Sequence, residues 1–287
     1  MPAFTPIKRL IVAAAAIALF ATPALAARTA DEPKSPPGGY SFNGPFGQHD
    51  QRQLQRGFKV WREVCSSCHA MHLVHFRDLG EKGGPFWNPK YKSTDNPVVK
   101  ALAAQYQISD LDTTTGDPIK RPGTPADAFP SPYPNATAAA AANGGAAPPD
   151  HSTIVKARDG GAEYIYSLIA FGYGKAVPAG LKVGPGQNYN PYYPGDLGSY
   201  YTGKGKVPTG GFIAMPQPLK AGQVTFDDGT KSTLPQESAD VAAFLDWASD
   251  PHADERKEMG TGAVFFMLIL AGLTFLSYKR IWRNVAH

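Results

Sequence analysis

Apolar positions recur at helical spacing in a few short segments, with long stretches between them that carry no periodicity. Over 49–70, Leu54, Phe58, Trp61 and Val64 or Cys65 fall at three- and four-residue steps, which marks one buried stripe and predicts a helix. Asp50 suits its N-cap. Gly57 sits in this helix at a cost of about 1 kcal/mol relative to alanine. It is either a tolerated defect or the point where another helix comes close. A second helix is predicted over 96–108, around Val98, Val99, Leu102 and Tyr106. A third is predicted over 152–172, broken in two by Gly160-Gly161. The last soluble helix is predicted over 238–249, with Ser238 as N-cap, Val241, Phe244, Leu245 and Ala248 inward, and Pro251 as its stop.

The intervening segments read differently. Residues 121–150 are dominated by Pro, Ala and Gly, with too little side-chain variety to specify packing, and are predicted to be a surface loop. A second long loop, crowded with Gly, Pro and Tyr, covers 172–211. Residues 226–230 (Phe-Asp-Asp-Gly-Thr) predict a turn between two short strands. The pattern as a whole predicts a mainly α domain with long loops.

Both ends of the chain stand apart from that domain. Residues 1–26 join Lys8 and Arg9 to an apolar run and an Ala24-Leu25-Ala26 cleavage site, the organisation of a secretory signal. Residues 260–278 contain no charge and are followed by Lys279, Arg280 and Arg283. At 1.5 Å per residue that run spans roughly 28 Å, the thickness of a hydrocarbon core. The expected organisation is a signal at 1–26, an exported domain at 27–259, a membrane anchor at 260–278 and a cytoplasmic tail at 279–287. The formal charge of the 287-residue chain is +4. Without Lys8, Arg9, Lys279, Arg280 and Arg283 it becomes 23 bases against 24 acids. The basicity belongs to the ends, and nucleic acid is not an expected partner.

The chain has two cysteines, Cys65 and Cys68. A bridge across two residues closes too small a loop to stabilise a fold, and zinc would need a second pair of ligands. Cys65-Ser66-Ser67-Cys68-His69 instead has the spacing for covalent haem attachment. Two thiols three residues apart can join the two vinyl groups of one haem, and His69 then meets the iron. One such motif implies one haem c.

The sixth iron ligand separates an electron carrier from an open catalytic site. Of the five methionines, Met1 belongs to the signal, Met71 lies too near His69, and Met259 and Met267 belong to the anchor. Met215 remains, before Pro216, which favours an extended backbone. His151 is its main rival. Arg158, whose planar fork suits a carboxylate, is a candidate partner for a haem propionate.

Several ordered stretches now resemble cytochrome c1, the anchored haem subunit of the cytochrome bc1 complex. They are Phe42-Asn43-Gly44-Pro45-Phe46-Gly47, Gln53-Leu54-Gln55-Arg56-Gly57 leading into the haem motif, Asn143 with Pro148-Pro149-Asp150, and Ala157-Arg158-Asp159-Gly160-Gly161. Glu163–Leu168, Asn190-Pro191-Tyr192, Ala214-Met215-Pro216 and the C-terminal anchor complete the set. The resemblance implies a cytochrome c-like domain with one C-terminal transmembrane helix. It implies thioethers at Cys65 and Cys68, axial ligands at His69 and Met215, and propionate-region residues at Arg158 and Tyr164. Its implied partners are cytochrome b, a Rieske iron–sulfur protein, membrane lipid and a c-type cytochrome acceptor. Its implied role is that of a one-electron carrier rather than an enzyme on its own. A freestanding tethered cytochrome is the alternative. Some relatives brace the loop near the haem with a second cysteine pair, which this chain lacks. Something else must hold 172–211.

Overall fold

The computed structural model describes residues 30–284, so the signal at 1–26 lies outside the described residues. Helix α1 is Gln51–Glu63, and Asp50 caps it by accepting a hydrogen bond from the Gln53 amide at 2.7 Å. It ends well short of residue 70. Ser66 and Ser67 donate their hydroxyls back to the Arg62 and Val64 carbonyls, competing with the helical ladder. Cys65–Ser67 therefore closes into a tighter 3₁₀ turn.

Helix α2 is Pro97–Ala103, capped by Asn96. The remainder of its predicted span instead enters strand β1, Gln107–Leu111, which pairs antiparallel with β2, Pro118–Pro122. The segment expected to be a loop over 121–150 contains helix α3, Ala136–Ala142, capped by Asn135. A run of alanines has the highest helix propensity available, even without a packing face. The break at Gly160-Gly161 is real, since both residues take positive φ. Only the second piece is helical, as α4, Gly161–Ala170; residues 152–157 form turns.

The long loop over 172–211 carries strand β3, Asn188–Asn190, which pairs with β4, Gly211–Ile213. No strands flank the 226–230 turn. Phe226 is buried there, and Asp227 and Asp228 bond Lys59 and Arg56. Helix α5, Leu234–Ser249, begins a turn earlier than predicted, with Thr233 as its N-cap and Ser238 fully buried. Pro235 fits the first turn, where no amide donor is missed. Helix α6, Ala253–Ile281, contains the predicted anchor and extends beyond it at both ends. The apolar part of α6 is free of the rest of the fold.

The core forms where α1 crosses α5. Phe58 and Trp61 of α1 meet Phe244 of α5 at ring separations of 5.6 and 6.0 Å, and Trp61 meets Phe129 at 5.1 Å. Gly57 lies at the contact. A Cβ there would press into the Asp240 carbonyl and stand 2.7 Å from the Phe244 Cβ. Beside it, the Arg56 guanidinium donates to the buried Asp240 carboxylate at 2.8 Å. The glycine is therefore required by close approach. Gly57→Ala should destabilise the domain by about 1–3 kcal/mol despite the better helix propensity. A lowered melting temperature in circular dichroism would show it; an unchanged or raised one would place the helices farther apart.

Candidate haem site

The haem motif follows directly from the end of α1. The Cys68 and His69 amides both bond back to the Cys65 carbonyl, at 3.1 and 2.9 Å. Neither cysteine is in a disulfide. Burial pushes the Cys65 thiol up to about 12, the opposite of the lowered pKa that a redox dithiol needs.

Chain from 80 residues away fixes the orientation of His69. Its Nδ1 lies 2.8 Å from the Pro149 carbonyl oxygen. A carbonyl only accepts, so Nδ1 carries the proton and Nε2 keeps its lone pair. Burial lowers the His69 pKa, which also favours the neutral ring. Residues 150–152 continue the clamp: Asp150 bonds His72, and the Ser152 hydroxyl accepts from the Leu73 amide at 3.0 Å. His151 is buried and stacks on the His69 ring, with centroids 3.9 Å apart and planes 19° from parallel. Its amide bonds the Ala70 carbonyl at 2.8 Å, while its Nδ1 has no partner among the described residues.

Met215 follows β4, half-buried against the same core as Cys65. Its carbonyl accepts from the Tyr173 hydroxyl at 3.0 Å and from the Asn188 amide nitrogen at 3.3 Å. Arg158 is exposed, but its charge reaches the buried phenol of Tyr164. Burial drives that phenol up to about 12 against the pull of Arg158. Burial raises the pKa of the Tyr173 phenol as well, whose hydroxyl bonds the Met215 backbone. Sequence reasoning assigned no role to the Pro149 carbonyl, Tyr173 or Asn188. A backbone acceptor has no residue signature, and the other two lie in a loop without periodicity.

Asn190 ties the segment over 172–211 to α4. It is fully buried, donates to the Leu168 carbonyl at 3.0 Å and accepts from the Tyr192 amide at 3.0 Å. Gly172 is needed beside it, because a Cβ there would collide with the Asn190 amide.

The Cytochrome C1 family model matches residues 40–285. The chain belongs to the cytochrome c1 family. It is 41% identical to cytochrome b/c1 of Bradyrhizobium diazoefficiens over 95% of this chain, and spans only 40% of that protein's length. It is 40% identical to cytochrome c1 of Rhodospirillum rubrum over 86% of this chain and 87% of the relative. It is also 40% identical, over 89% of this chain and 78% of the relative, to a Candida albicans protein named as the catalytic subunit of the mitochondrial cytochrome b-c1 complex. Proteins of this family carry covalently bound haem c, and Cys65 and Cys68 are present in this chain. A neutral imidazole with a free Nε2 directly after two unbridged cysteines suits that group. The chain is thus a bc1-type electron carrier.

Asn190→Ala removes both side-chain bonds and strips a donor from a carbonyl in the last turn of α4, at a cost of about 1–3 kcal/mol. The haem should stay attached, while limited proteolysis should cut more readily within 172–211. Unchanged cleavage there would mean that the β3–β4 pair alone holds the loop.

Proposed function

We propose that Cys65 and Cys68 carry the haem through two thioether bonds, with His69 Nε2 and the Met215 sulfur as axial ligands. The haem iron supplies a one-electron couple, and a thioether opposite an imidazole favours its reduced form. The hydrogen bond from His69 Nδ1 to the Pro149 carbonyl carries this reading. It fixes the tautomer, sets the angle of the ring and raises the basicity of the ligating nitrogen.

The stacking of His151 supports Met215 over its rival. His151 packs flat against a face of the His69 ring. It is a packing partner of His69, so a haem held by Cys65, Cys68 and His69 would draw its second iron ligand from another chain segment. Tyr173 and Asn188 brace the backbone of Met215 from two sides. Arg158 and Tyr164 belong to the propionate region in this reading, because Arg158 lies just before α4 and its charge acts on the phenol of Tyr164 in the first turns of that helix.

In this reading electrons arrive from a Rieske iron–sulfur protein and leave to a c-type cytochrome, with cytochrome b in the same complex. The uncharged run in α6, with Lys279 and Arg280 in its last turn, supports one membrane crossing with the haem domain in the periplasm and the tail in the cytoplasm.

Met215→Leu keeps the bulk and removes the sulfur. The haem should remain attached, the potential should fall, and the reduced protein should now bind carbon monoxide. Every 59 mV of fall removes about 1.4 kcal/mol of driving force for a one-electron step, so quinol-to-cytochrome turnover should slow in an assembled complex. An unchanged potential with no carbon monoxide binding would move the sixth ligand to another residue.

Arg158→Ala should lower the potential, since a nearby positive charge disfavours the oxidised iron. Its exposure means that stability should change little. A potentiometric titration matching the parent would detach Arg158 from the haem.

A further inference from the structure

Two loops converge on the first turns of α6 from different sides. The Lys257 ammonium donates to the Phe42 and Gly47 carbonyls at 2.6 and 3.1 Å, which fastens residues 42–47 to the helix. Lys82 pairs with Glu258 at 2.6 Å. A Cβ on Gly83 would lie 3.7 Å from the Asp254 carboxylate, so residues 81–87 meet the helix along Asp254 and Glu258. Those two share a helix face, and Lys257 points about 100° away from Glu258. Met259, 66% exposed, begins the uncharged run two residues beyond Lys257.

Each loop holds an aromatic ring outward. Phe46 is 77% exposed, although its neighbour Phe42 is buried. Its turn is fixed at several points. The Asn43 amide bonds Tyr40, the Gln48 amide bonds Ser41, and the Asn43 side chain donates to Glu163 at 2.9 Å. Gly47 leaves no room for a Cβ, which would stand 2.7 Å from the Ser41 carbonyl. Trp87 is 38% exposed, and its carbonyl accepts from the Gln51 side chain at 2.8 Å. Neither ring contributes to the core, and both lie on loops fastened near the start of the uncharged run. Aromatic rings at that height suit the headgroup zone of a bilayer.

We propose that loops 42–47 and 81–87 form an interfacial collar, with Phe46 and Trp87 seated among phospholipid headgroups on the side of the haem domain. This rests on the membrane insertion of α6 proposed above. Continuity with the span identifies lipid as the occupant. The attraction is apolar and aromatic, because Lys257 is bonded to carbonyls, Lys82 to Glu258 and Arg256 to Asp250. Anionic lipid is therefore not required. The collar would limit the tilt of the haem domain on its anchor.

The test is photo-cross-linking in native membranes with the assembled complex, using benzoylphenylalanine in place of Phe46 or Trp87. Leu111, 59% exposed on the β1–β2 hairpin, serves as the solvent control, and Phe266 within the span as the lipid control. Lipid adducts at Phe46 and Trp87 should exceed those at Leu111 several-fold and persist in high salt. A protein-sized adduct would mean that another subunit covers the collar and would overturn the proposal. Adducts no more frequent than at Leu111 would overturn it as well, by placing the rings in water. Failure at Phe266 too would overturn the membrane reading of α6, and the collar with it.

Discussion

The crossing of α1 over α5 at Gly57 is the contact on which the rest of the domain depends. The backbones approach so closely that no side chain fits between them, and Arg56 pairs with a buried aspartate beside the contact. This fixes the axis of α1, and the haem motif begins one residue after the cap that ends it. A shift at the crossing would therefore move Cys65 and His69 directly. Phe58, Trp61, Phe129, Phe244 and Trp247 fill the space around the crossing, so the reference frame for the site is also an aromatic part of the core.

Loops supply the segments around the haem motif, and backbone hydrogen bonds hold them in place. Pro149 offers a carbonyl to His69, Asn190 ties the 172–211 segment to the end of α4, and Tyr173 and Asn188 grip the carbonyl of Met215. Met215, on an irregular segment, needs such external support, because no helical ladder fixes its backbone. In this chain, which has no cysteine pair in that loop, a buried amide with two hydrogen bonds braces the segment. The brace is non-covalent, so its strength depends on the exclusion of water around Asn190.

The anchor joins the domain through a polar cluster rather than a flexible linker. His49 lies between Asp246 near the end of α5 and Asp254 at the start of α6, 3.1 and 3.0 Å away. Burial opposes its charge, but hydrogen bonds to the two carboxylates outweigh burial and raise its pKa. Asp250, in the short connection between these helices, bonds both Arg256 and Lys156. The orientation of the span relative to the haem domain is thus set by charges paired across the joint.

The sequence alone determined the features that depend on short-range spacing. The cysteines and histidine of the haem motif are neighbours in the chain, and an uncharged run of membrane length needs no tertiary context. The Asp50 cap, the break at Gly160-Gly161 and the requirement for Gly57 could be anticipated because each acts within a turn or through the absence of a side chain. Boundaries were less legible. Helix α1 stops early because serine hydroxyls take its carbonyls, α5 starts early because Thr233 and Pro235 favour an earlier N-terminus than Ser238, and the alanine run becomes helical without an apolar face. Only the tertiary structure placed Pro149 behind His69, stacked His151 on it and joined Arg158 to Tyr164. Those relations cross up to 82 residues of chain. They rest on backbone carbonyls and ring faces, which are present at many positions and acquire a partner only when the fold brings it near.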